Sequence, residues 1–200
     1  MREGRFRNRK EAGRLLAEAL LEYGGRTDTV VLGLPRGGVV VGAEIAKILH
    51  LPLDVFTVRK LGVPGQKELA MGAIATGGAM VLNPSVIEYL GIDERTIAQV
   101  AERERRELER REALFRKGLP PLAIGGKVAI FVDDGIATGA TMRAAVAAAR
   151  KLGPRAVIAA APSRPLGGRG DDRACRRVLR AADAGILFRR RTVVRGVFSG

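Results

Sequence analysis

The segment Val128-Ala-Ile-Phe-Val-Asp133-Asp134-Gly135-Ile-Ala137-Thr138-Gly139-Ala140-Thr141-Met142 runs from an apolar stretch through two acids and a loop of small residues. The apolar stretch, short and rich in β-branched and aromatic side chains, reads as a buried strand. It delivers Asp133 and Asp134 to its carboxyl end, where open α/β sheets bind ligands. The loop Ala137 to Thr141 then opens a helix. Successive backbone N–H groups there, with the helix dipole, form an anion nest, and the Thr138 and Thr141 hydroxyls add donors. Gly139 lets a phosphate approach the backbone closely. Two carboxylates in front of such a cradle would repel a bare phosphate. They are explained if they accept bonds from sugar hydroxyls, or if a divalent cation lies between. The segment therefore predicts a sugar-phosphate site. A plain strand–turn–helix crossover would account for one Asp and one Gly, but not for the whole D-D-x-x-x-T-G-x-T spacing.

Outward from this segment, strands and helices alternate. Thr29 to Leu34, Leu53 to Val58, Lys127 to Val132 and Ala156 to Ala161 read as strands. Val39 to Leu49, with Val40, Ala43, Ala46 and Ile48 as its apolar spacing, and Ala140 to Leu152 read as helices. Parallel neighbours need crossovers, so this order predicts an α/β fold, a parallel twisted sheet with helices on both faces. Two segments interrupt it. Gly72 to Leu82 alternates like a hairpin turning at Gly77-Gly78. Asp93 to Lys117 reads as a long polar helix with Ile97, Val100, Ala101, Leu108 and Phe115 as its apolar positions. Its Glu/Arg run predicts a solvated face of i,i+4 pairs. A short helix capped by Asn83-Pro84 precedes it.

Composition narrows the classes. The 200 residues are 46% hydrophobic, enough for a packed domain and too many for a disordered chain. No apolar run reaches membrane-spanning length, and no apolar stretch follows the charged start Met1 to Lys10, so no secretory signal is expected. With one cysteine, Cys175, and one histidine, His50, neither an internal disulfide nor a zinc constellation can form. A cytoplasmic protein is the expectation. The net charge of +14 is uneven: residues 162–200 hold ten arginines against three aspartates, which is half of the excess. Aromatic residues make up only 4%, so stacking platforms for nucleic acid are not evident. Residues 1–162 thus read as the folded domain and 163–200 as an atypical Arg-rich C-terminal segment. That segment is either a basic tail for nucleic acid or a frameshifted end. The frameshift is favoured, because CGN arginine codons read one base later encode Val, Ala, Asp, Glu or Gly.

The acidic segment resembles the phosphoribosylpyrophosphate-binding motif of type I phosphoribosyltransferases. Leu34-Pro35-Arg36-Gly37-Gly38 resembles that family's pyrophosphate loop, and Val58-Arg59-Lys60, taken to end the second strand, its step into a mobile catalytic loop. Within the family the chain looks closest to a bacterial branch marked by GLPRGG, VRKLG, ELAMGAIA and VDDGIATGATM. The resemblance implies that Asp133 and Asp134 bind the ribose hydroxyls or order a Mg²⁺ shell. It implies that Ala137, Thr138, Gly139, Ala140 and Thr141 cradle the 5-phosphate. Arg36, Gly37 and Gly38 would hold pyrophosphate, with Arg59 and Lys60 as the catalytic cations. Leu61 to Gly78, with Lys67 and Glu68, would be a lid. The implied reaction transfers the phosphoribosyl group from phosphoribosylpyrophosphate to a nitrogenous acceptor, as in nucleotide metabolism, with Mg²⁺ as cofactor. Ala137 stands where 6-oxopurine enzymes of the family carry an Asp, which argues against that branch and leaves the acceptor open. The partners implied are these two small molecules and a homodimer mate, with no membrane and no nucleic acid. Two other functions remain: a non-catalytic phosphoribosylpyrophosphate sensor, and nucleic-acid binding through the Arg-rich tail.

Overall fold

The computed structural model describes residues 6–135 and 139–162, together with the backbone of 177–180. In chain order the elements are α1 (Arg9–Glu18), β1 (Thr29–Gly33), α2 (Gly37–Leu49), β2 (Leu53–Val55), β3 (Val58–Val63), β4 (Gln66–Ala75) and β5 (Met80–Leu82). There follow α3 (Pro84–Leu90), α4 (Glu94–Phe115), β6 (Val128–Val132), α5 (Ala140–Arg150), β7 (Ala156–Ala161) and β8 (Arg177–Arg180).

The main sheet has the order β2-β1-β6-β7-β8. Its first four strands are parallel, in the register Val55–Gly33–Val132–Ala160, and β8 runs antiparallel to β7. Every residue of β1 and β6 is buried, as a sheet covered on both faces requires. On one face Leu16 of α1, Leu20 just beyond that helix, and Val41, Ile45 and Leu49 of α2 pack on Val31, Ile130, Val132 and Ile158. On the other, Met142, Ala145, Val146 and Ala149 of α5 pack with Phe56 on Val30, Leu32 and Phe131. The Phe56 and Phe131 rings meet edge to face at 4.9 Å. The predicted α/β fold, with helices on both faces of a parallel sheet, is the fold observed.

Two local expectations are corrected. The predicted second strand ends at Val55: the Phe56 N–H still bonds β1, donating to Gly33 O at 3.1 Å, but the next N–H, that of Thr57, donates to Thr76 Oγ1 at 2.8 Å. The bonding of Thr57 to Thr76 takes the chain out of the main sheet. Arg59 and Lys60 therefore open β3 instead of ending a sheet strand. Next, α2 turns Gly38, Val41, Gly42, Ile45, Ala46 and Leu49 inward and leaves Val40, Ala43 and Ile48 exposed. The helix meets β1 and β2 through Gly42, whose missing Cβ would touch Leu53 and Val31 at 3.3 and 3.4 Å. The candidate lid, Leu61 to Gly78, falls in a second sheet. The antiparallel sheet β3-β4-β5 buries Leu61, Val63, Met71 and Ile74 against Val100, Ala101 and Leu108 of α4. The turn at Thr76–Gly78 does close a hairpin, between β4 and β5.

The α4 charge run forms the expected pairs, Arg106 with Glu102 and Arg111 with Glu107, both i,i+4. Glu104 departs from that surface and is buried. The N-terminal helix α1 was not anticipated. Asn8 caps it by accepting the Glu11 N–H at 3.0 Å. Buried Gly13 seats it on α2, since an added Cβ would lie 2.7 Å from both Val41 O and Glu44 Cβ.

That contact decides the sign of a substitution. In an open helix Gly→Ala stabilises by about 1 kcal/mol, but overpacking a tight contact costs about 1–3 kcal/mol. Gly13→Ala should therefore lower the free energy of urea unfolding. A rise would mean that α1 is free to lift from α2.

Candidate functional site

The site follows from sheet order. The crossover from β1 leads to β2 on one side, while the crossover from β6 leads to β7 on the other, so a crevice opens between the carboxyl ends of β1 and β6. The chain leaving β1 is laced to β6 by the Leu34 N–H, which donates to Val132 O at 2.8 Å. The Pro35–Arg36 peptide is cis, Arg36 caps α2, and Gly37 and Gly38 form the helix's first turn. A Cβ on Gly38 would lie 2.3 Å from Val132 O, and one on Gly37 would lie 1.8 Å from Asp134 Oδ2. Only bare backbone fits here. The absence of side chains brings the α2 N-terminus onto the acidic end of β6.

A second helix begins at the same edge on the opposite face of the sheet. Gly139 caps α5 with φ 73°, a left-handed conformation that suits glycine, and its carbonyl accepts the Arg143 N–H at 2.9 Å. Gly139 is buried, while Ala140 and Thr141 are exposed in the first turn. The first N–H groups of both helices lack intrahelical acceptors and carry partial positive charge. The crevice thus has an anion-attracting helix end above and below it. Ala137 and Thr138 lie outside the described residues.

Between these ends the two acids have different surroundings. The Asp133 N–H donates to Ala160 O at 3.1 Å, and Asp133 Oδ1 accepts the Asp134 N–H at 2.8 Å. Burial pushes the Asp133 carboxyl up to about 6. The Asp134 N–H it accepts pulls against that shift, while the neighbouring Asp134 charge reinforces it. Asp134 is charge-paired instead: Arg9, at the start of α1, donates to its Oδ2 from Nε at 2.8 Å and from Nη2 at 2.7 Å. Sequence reasoning missed Arg9. Its partner lies 125 residues away, and the signal within reach was the Asn8 cap that starts α1.

Arg59 and Lys60 have a different setting from the one expected. Arg59 donates from Nε to Glu104 Oε2 at 2.9 Å and from Nη2 to the same oxygen, while Arg103 pairs with Glu104 Oε1 at 3.2 Å. Arg59, Lys60, Val63, Val100, Arg103 and Glu104 line a cavity of about 390 Å³ between the β3–β4 hairpin and α4. The structure therefore brings together Arg36, Gly37, Gly38, Asp133, Asp134, Gly139, Ala140 and Thr141. It holds the Arg59 guanidinium against α4. No helix among the described residues is long and apolar enough to cross a membrane.

A family model described as a phosphoribosyl transferase domain matches residues 6–187. The chain belongs to that family. Two Mycobacterium tuberculosis proteins, from strains CDC 1551 and H37Rv, each named "Putative phosphoribosyl transferase", are 48% identical to it over 160 residues. Those residues are 80% of this chain and 36% of each relative, so the chain spans about a third of the length of the curated relatives it matches. Among solved structures, the protein TT1426 from Thermus thermophilus is 46% identical with a TM-score of 0.71, over 80% of this chain and 75% of that one. The resemblance carried by the acidic segment is thereby borne out at the level of family and fold.

The Asp133 environment has a measurable consequence. Its carboxyl titrates near 6 in the folded chain and near the ordinary 3.8 when unfolded, so between those values the native state binds the extra proton. The stability contributed by the protonated carboxyl is fully present below about 3.8 and lost as pH rises through about 6. Relative to Asp133→Asn, the wild-type unfolding free energy should fall across this window in urea titrations. Parallel pH curves for the two proteins would show that Asp133 is solvated like an ordinary surface acid.

Proposed function

We propose that this crevice binds phosphoribosylpyrophosphate and that the chain transfers its phosphoribosyl group to a nitrogenous acceptor, releasing pyrophosphate. One observation carries the reading: two helix N-termini flank one desolvated carboxylate at a single sheet edge. A ligand with phosphate at both ends and hydroxyls between matches that order of charges. The α5 end suits the 5-phosphate, and the Arg36–Gly38 turn suits the pyrophosphate. The ionised Asp133 would accept bonds from the ribose hydroxyls. Membership of the phosphoribosyl transferase domain family supports the same assignment.

In the reaction the acceptor nitrogen's lone pair forms a bond to C1 of the ribose. The C1–oxygen bond breaks, its electron pair leaves with pyrophosphate, and the acceptor's proton passes to solvent or a base. The transition state gathers positive charge on the sugar and negative charge on the leaving group. The residues named here mainly position the ends and stabilise charge. Mg²⁺ fits the donor set in a limited way. No cluster of three ligating side chains occurs among the described residues, and Asp134 is paired with Arg9. The ion would be held chiefly by substrate oxygens and water near Asp133, as Mg²⁺ in phosphate sites commonly is. When bound it supplies neutralisation of the diphosphate. A cytoplasmic location and a homodimer belong to the same proposal.

One observation favours a second reading, binding without transfer. Arg59, expected to neutralise the leaving group, is engaged by buried Glu104. A sensor that binds the sugar diphosphate would leave it there.

Purified protein with phosphoribosylpyrophosphate, Mg²⁺ and a panel of nitrogenous bases, assayed by pyrophosphate release, separates the two. Base-dependent release is expected. Ligand at one hundred times its dissociation constant should add roughly 2.7 kcal/mol of stability and raise Tm. Asp133→Asn removes a charged acceptor worth about 1.5–3 kcal/mol, so affinity should drop roughly tenfold to a hundredfold. A folded protein whose Tm ignores millimolar ligand contradicts both readings, and binding without release selects the sensor.

A further inference from the structure

We infer that Arg9 is a binding residue of the crevice, resting on Asp134 in the free protein and moving to the pyrophosphate group when that group enters. This rests on the reading given under Proposed function. Two observations place the guanidinium. Its Nε and Nη2 both donate to Asp134 Oδ2. The same oxygen lies 1.8 Å from where a Cβ on Gly37, the first residue of α2, would stand. The guanidinium and the proposed pyrophosphate turn are therefore neighbours across a single carboxylate oxygen.

The base of the side chain is fixed while its end is not. Asn8 caps α1 one residue earlier, and Gly13 seats the helix against α2 one turn later. Leu16, Ala17 and Leu20 are buried in the core behind them. The Arg9 side chain itself is 46% exposed and can swing without moving the helix. Among the described residues Asp134 is its one ion-pair partner. Arginine forms paired bonds to phosphate oxygens as readily as to carboxylate. An empty crevice with two adjacent acids would repel a diphosphate. Arg9 on Asp134 lowers that repulsion before the ligand arrives, and it lies at hand for the charge that the ligand brings.

Calorimetric titration of the full chain with inorganic pyrophosphate and, separately, ribose 5-phosphate tests the assignment. Arg9→Gln should weaken pyrophosphate binding roughly tenfold to a hundredfold and leave ribose 5-phosphate within about threefold. Arg9→Lys should recover part of the loss. In Asp134→Asn, with Arg9 intact, pyrophosphate binding should hold or tighten. The double variant Arg9→Gln/Asp134→Asn should stay as weak as Arg9→Gln. Recovery to wild-type affinity in the double variant would mean that Arg9 only screens Asp134, and would overturn the proposal. So would equal losses for both ligands, or no loss, in Arg9→Gln proteins whose Tm shows them folded. If Arg9→Gln fails to fold, Arg9→Lys and Asp134→Asn decide: a pyrophosphate loss in Asp134→Asn overturns the assignment. Wild-type protein that binds neither ligand removes the sugar-diphosphate reading along with it, a result distinguishable from an unaffected variant of a binding wild type.

Discussion

The arrangement depends on a contact that has no room for a side chain. Where the chain leaves β1, Gly37 and Gly38 lie so close to the end of β6 that a single added carbon on either would overlap Val132 O or the Asp134 carboxylate. This closeness sets the start of α2 beside two acids, and it holds only because β1 and β6 are adjacent and in register at Gly33 and Val132. The same edge carries the start of α5, capped by a left-handed Gly139. Sheet order, glycine placement and helix polarity thus produce one crevice with positive ends and an acidic middle.

Adjacent acids in such a place need not act alike. Asp133 is turned into the protein and accepts a backbone N–H, and desolvation raises its pKa. Asp134 faces a guanidinium supplied by α1. The N-terminal helix, which a reading centred on the strand and loop motifs passes over, is therefore part of the site's electrostatics. Its hold on α2 through Gly13 links core packing directly to the charge at the crevice.

The legible part of this protein was the part where one physical signal dominates. Val128 to Val132 is apolar without interruption because β6 is covered on both faces, and the acids that follow mark its end unambiguously. The face of α2 was misread because its packing surface includes Gly38 and Gly42, and glycine leaves no trace in a hydrophobic period. The break between β2 and β3 carries no glycine or proline. It is made at Thr57, which bonds Thr76, a pairing that only the folded chain brings together. Glu104 looked like any acid in the α4 charge run; its burial comes from Arg59 on β3, 45 residues away in sequence. Arg9 escaped for the same reason. Ala137, Thr138, the Arg-rich residues 163–176 and 181–200, and Cys175 lie outside the described residues.

A crystal structure of the protein with phosphoribosylpyrophosphate and Mg²⁺ decides whether the crevice between β1 and β6 holds the ligand. The 5-phosphate is expected at the start of α5, the pyrophosphate at the Arg36–Gly38 turn and the ribose hydroxyls on Asp133. Ligand bound instead in the cavity between α4 and the β3–β4 hairpin, with the crevice between β1 and β6 left to Arg9 and Asp134, would contradict it.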